Sequence, residues 1–74
     1  MHPRAHDYWP DLTGMPDGWR LFRIEWSCGR ALVDLRRLQD NAMARSSGNH
    51  RTPAAAFMDA CARARTTPAS AAAA

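Results

Sequence analysis

The sequence predicts an α+β fold: one β-strand followed by two α-helices, preceded by an irregular N-terminal arm and completed by a dimer or another partner. Three observations carry this. Apolar and polar residues alternate at period two over 19–26. Apolar residues recur at helical spacing over 28–45. Thr52-Pro53 supplies a helix-opening signal ahead of a third apolar stripe.

Residues 1–18 form the arm. Pro3, Pro10 and Pro16 interrupt any regular element, and Pro16-Asp17-Gly18 is a turn signal: Pro presets the first central dihedral, Asp bonds the backbone ahead, and Gly closes the turn. Tyr8, Trp9, Leu12 and Met15 are too apolar for a solvated tail, so part of the arm packs on the domain or on a partner. The domain spans 19–66 and begins with the strand Trp19-Arg-Leu-Phe-Arg-Ile-Glu-Trp26. Strict alternation places Phe22, Ile24 and Trp26 on one face, and Leu21, Arg23 and Glu25 on the other.

Residues 28–45 read as an amphipathic helix with Ser27 as N-cap. Cys28, Ala31, Leu32, Leu35, Leu38, Ala42 and Met43 cluster at 100° per residue, opposite Arg30, Asp34, Arg37 and Asn41. Val33 falls off the apolar face and Gln39 intrudes on it. Arg30–Asp34 and Arg36–Asp40 have i,i+4 spacing. A polar connector, 46–51, follows, with Gly48 placed to end the helix. Thr52 at the N-cap and Pro53 at the first helical position open the second helix, which runs to about Arg65 with Phe57, Ala60, Cys61 and Ala64 as its apolar stripe. Residues 67–74 are an alanine-rich, frayed tail.

Composition narrows the function classes. The chain has 74 residues, and 15 of its apolar residues are alanines, so the large side chains available for a core are few. This points to a partner and leaves too little chain to wall in a large active site. The net charge is +3; all ten basic residues are Arg, and Glu25 is the one Glu among seven acids. Arg, Ala, Gly and Pro enrichment without Lys matches the codon bias of GC-rich bacterial or phage genomes. Arg is also the side chain suited to bidentate recognition of phosphate and guanine. The sequence has no apolar run of membrane-spanning length and no signal-peptide pattern, so a cytoplasmic location with two reduced, buried thiols at Cys28 and Cys61 is expected.

No catalytic site, small-molecule substrate, cofactor or metal is expected. His2 and His6 lie beside Pro3 in the arm, Cys28 and Cys61 lack a CxxC partner, and His50 has no orienting third group at a recognisable spacing. The connector is richer. Arg45, Arg51, its hydroxyls and the Thr52 helix terminus combine guanidinium groups with free backbone amides, a set that suits phosphate. Tyr8, Trp9 and Trp19 are candidate anchors for a protein partner. The single strand needs an external hydrogen-bonding partner, most simply the same strand of a second copy in a two-fold antiparallel ribbon.

The order strand–helix–loop–helix over residues 20–65, with Gly48-Asn49-His50-Arg51-Thr52-Pro53 before the last helix, resembles the ribbon-helix-helix family of dimeric DNA-binding regulators. The resemblance implies a homodimer on duplex DNA, with Arg23 and Glu25, and Leu21 beside them, directed into the major groove and the Thr52 terminus on a phosphate. The alternative expectation is a phage or mobile-element inhibitor, of the kind that includes anti-CRISPR proteins, which binds and blocks a host nucleic-acid-handling protein complex. In that case the strand would add to a target sheet edge and the aromatic arm would anchor the contact.

Overall fold

The computed structural model describes residues 9–68 and shows an antiparallel three-stranded sheet followed by one helix. Strand β1 is Trp19–Ser27, β2 is Arg30–Arg37, β3 is Met43–Arg45, and helix α1 is Pro53–Thr66. The sheet order is β1-β2-β3, a meander. A 3-10 turn, Leu12–Gly14, precedes it, with the Asp11 side chain accepting from the Thr13 amide at its N-terminus.

The fold is therefore α+β, but the single strand and the first of two helices are corrected to a hairpin and a third strand. The segment 28–45 satisfies both periods at Ala31 and Leu35, and the strand wins for two reasons. Ala31, Val33 and Leu35 alternate and are all buried, which draws in the Val33 that a helix leaves outside. Cys28 and Gly29 both adopt positive φ, 54° and 73°, between the paired residues Ser27 and Arg30. That is the two-residue hairpin turn whose twist matches the flanking strands, so Ser27 ends a strand instead of capping a helix. The second reversal, 38–42, is closed by the Arg37 amide donating to the Ala42 carbonyl at 2.9 Å, with Asn41 at φ 61°. Arg37, not Arg36, grips Asp40, with Nε and Nη2 each donating at 2.8 Å. Leu38 and Met43, assigned to a buried helix face by spacing, are exposed.

Because β1 pairs with β2 along its length, its hydrogen-bonding partner lies within the chain, and the need for a second copy's strand disappears. Within β1 the register shifts between Leu21 and Arg23. This bulge puts Phe22 and Arg23 in succession on one side and swings Leu21 to the other, so strict alternation fails at that point. Leu21 and Ile24 pack against the core, opposite Leu35 and Val33; Phe22 is exposed.

Helix α1 lies where Thr52-Pro53 places it. The Thr52 hydroxyl accepts from the Ala55 amide, and Pro53 occupies the first turn. Its buried residues Ala56, Phe57, Ala60, Cys61 and Ala64 pack against Ala31, Val33, Leu35 and Ala44 of the sheet. Small residues at four of those helix positions let the helix approach closely, with Phe57 filling the remaining volume. The connector is tied down at both ends. The Val33 amide donates to the Ser46 hydroxyl at 2.9 Å, and the Ala31 amide to the His50 carbonyl at 2.6 Å. Cys61 is buried as expected, whereas Cys28 sits exposed in the hairpin turn. No helix among the described residues is long and apolar enough to cross a membrane.

Candidate nucleic-acid interface

With α1 covering one face of the sheet, the other face is built from the alternate residues of each strand. Reading across the register, Arg20 lies beside Arg36, which lies beside Met43; Arg23 lies beside Asp34, which lies beside Arg45; Glu25 lies beside Leu32, and Ser27 beside Arg30. The bulge adds Phe22 to this surface. Five arginines thus share a face with two carboxylates.

The charges are arranged around Asp34, which is fully buried although it belongs to the uncovered side. Arg45 Nη2 donates to Asp34 Oδ2 at 3.1 Å, and Arg36 Nε stands 3.7 Å from Oδ1, an ion pair too long for a hydrogen bond. Asp34 Oδ1 and Arg36 Nε are both buried without a hydrogen-bond partner. The Arg36 guanidinium lies over the Phe22 ring, 4.4 Å from its centroid, and Arg20 approaches the same ring at 5.8 Å. Phe22 therefore has two cations within cation–π reach, with Arg36 the nearer. Arg23 pairs with Glu25 at 3.2 Å, both side chains about half exposed, which screens the attraction and leaves Arg23 available to another anion.

The residues expected to contact nucleic acid divide between two places. Arg23, Glu25 and Arg45 come together on the open face. Arg51 and Thr52 belong to the connector, where the Thr52 hydroxyl is used by its own helix and the Arg51 carbonyl accepts from Trp26 Nε1 at 3.1 Å. The rest of that loop is likewise occupied internally. Asp59 of α1 accepts from the Ser47 amide at 3.0 Å, from Arg63 Nε at 2.9 Å, and bonds His50 Nε2 at 2.8 Å. The His50 bond, then the Ser47 amide, hold the Asp59 carboxyl well below the usual carboxylate range. The hydroxyl- and amide-rich connector is thus a strap between sheet and helix.

Of the expected protein-binding anchors, Tyr8 lies outside the described residues. Trp9 is partly exposed and meets Trp26 edge-to-face, ring centroids 5.6 Å apart. Trp19 is half-buried on the helix side, with the Arg37 guanidinium 5.4 Å above its ring. Among the described residues no three metal-ligating side chains gather into a site. An apolar cavity of about 330 Å³ lies between the 3-10 turn and α1, walled by Pro10, Gly14, Phe57, Met58 and Cys61.

Sequence reasoning missed Arg20, Phe22, Asp34 and Arg36. The signal was present: Arg30, Leu32, Asp34 and Arg36 are the complementary half of the Ala31, Val33, Leu35 alternation. The strand–helix–helix order behind the ribbon-helix-helix resemblance is replaced by strand–strand–strand–helix. No family model, no curated protein and no solved structure matches the chain.

Proposed function

We propose that the protein is a small non-catalytic binding protein that docks the open face of its sheet on duplex DNA. The observation that supports this reading most strongly is the five-arginine surface around Phe22, on the sheet face opposite α1, which no element among the described residues covers. Two strands at about 4.8 Å spacing occupy about 10 Å. The β1–β2 hairpin therefore matches the two-stranded ribbon that the roughly 12 Å major groove admits, with the three-residue β3 at its rim. Arg20, Arg23, Arg30 and Arg45 border the patch and meet phosphates, while the central Arg36 and Phe22 face the groove floor, where an apolar ring can contact the thymine methyl. Helix α1 stays outside as the brace that keeps the sheet rigid.

Fluorescence anisotropy with a labelled duplex tests this. If about four phosphates are neutralised, log affinity falls with log salt at a slope near −3 to −4. Arg20→Ala and Arg45→Ala each reduce the slope by about one. Arg63→Ala and Arg65→Ala, on the helix, leave it unchanged. A wild-type protein that ignores duplex DNA at low salt, or variants in which the helix arginines matter more than the sheet arginines, refutes the reading.

A further inference from the structure

Asp34 is out of place on a surface built to meet an anion. A buried carboxylate is costly to keep, and removing its charge would make the face more attractive to phosphate. Its neighbours indicate what it does there. The register sets Arg23 on one side and Arg45 on the other, and Arg36 is two residues along the same strand. Arg45 is engaged through one Nη at 3.1 Å, so only part of its fork is used. Arg36 Nε stands 3.7 Å from Oδ1, and its guanidinium carbon lies 4.4 Å from the Phe22 ring centroid. Neither Arg36 Nε nor Asp34 Oδ1 makes a hydrogen bond.

We infer that Asp34, itself held by Arg45, is a positioning residue that orients the fork of Arg36 for bidentate contact with a guanine edge, so that it sets sequence discrimination and not affinity. This rests on the duplex-DNA reading above and adds to it a division of labour: the outer arginines, Arg45 among them, for phosphate, and the central Arg36 for a base. Asp34 lowers the number of rotamers open to the Arg36 side chain, which reduces the entropy lost when both donors of its fork must meet O6 and N7 together. The unclosed 3.7 Å gap gives Arg36 room to settle as the fork engages.

The test begins with selection from a randomised duplex library by the intact wild-type protein, followed by affinities for the selected duplex and for a scrambled duplex of equal composition. Asp34→Asn, nearly isosteric, is expected to bind the scrambled duplex as tightly as wild type or more tightly. Its preference for the selected duplex should fall about tenfold, the loss of a guanine fork. Arg36→Lys keeps the charge and removes the fork; it should lose the same preference with the salt slope unchanged, and it decides the matter if Asp34→Asn does not fold. A merely structural Asp34 would weaken both duplexes alike. Selection that yields no preferred sequence, or a preference kept within twofold in Asp34→Asn or in Arg36→Lys, overturns the inference while leaving non-specific docking intact. Absence of any duplex binding by wild type removes the underlying reading instead.

Discussion

Val33 and Leu32 are adjacent, and their relative cost on truncation separates the hairpin from a helix over the same residues. Val33 has no solvent exposure and sits on β2 between β1 and the connector, facing α1; Leu32 is half-buried on the open face beside Glu25. Val33→Ala removes two buried carbons, about 1.6 kcal/mol of transfer free energy, plus a cavity contribution, for roughly 2–3 kcal/mol. Leu32→Ala removes three carbons that are only half withdrawn from water, for about 1 kcal/mol. The larger side chain is thus the cheaper one to lose. A core this small supplies about 3–5 kcal/mol, so Val33→Ala removes around half of it. With a urea m-value near 1 kcal/mol/M, the midpoint falls by about 2 M. Urea titration followed by tryptophan fluorescence reads this directly. A helix over 28–45 reverses the order, because Leu32 would lie on its buried face and Val33 outside. A larger cost for Leu32→Ala than for Val33→Ala would refute the strand register.

Thr52→Ala, which removes the hydroxyl that accepts from the Ala55 amide, should cost about 1 kcal/mol in the same assay, and no change would mean the cap contributes nothing. Cys28 should react with a thiol reagent in the folded protein at nearly the rate of a free thiol. Cys61 should react only on unfolding, since burial both hides its thiol and pushes its pKa up; equal rates would contradict the packing of α1. Asp59 has a lowered folded-state pKa, so its contribution is fully present above the unfolded carboxylate value of about 4 and is lost as pH falls below it. Asp59→Asn should lower stability by about 2 kcal/mol at neutral pH and flatten the acid side of the profile; an unchanged acid limb would show that the strap to Ser47 and His50 is not energetically coupled.

Much of this fold was legible where a residue type has a single local meaning. Thr52-Pro53 opens α1 because a hydroxyl at the cap and a ring without an amide at the first position suit little else, and the small-residue stripe behind it follows. The segment 28–45 was not legible by spacing alone, since its leucines and alanines satisfy a period of 3.6 about as well as a period of two. The deciding clue was local: Gly29, costly inside a helix, supplies positive φ to a two-residue turn, with Cys28 in the first turn position where Asn or Asp is usual. The bulge at Phe22 has no sequence mark, and it reverses which of Leu21 and Phe22 enters the core. The site inherits these errors. Arg23 and Arg45 were found as basic residues near polar segments, but their grouping around Asp34 with Arg36 depends on β2 being a strand.

Amide chemical-shift mapping of the protein with a short duplex reads out which face docks on DNA. Shifts that titrate with duplex concentration should concentrate at Arg20, Phe22, Arg23, Asp34, Arg36 and Arg45, with the exposed helix positions Met58 and Ala62 unmoved. Shifts confined to α1 or the connector, or a spectrum unchanged at low salt, would contradict docking through the open sheet face.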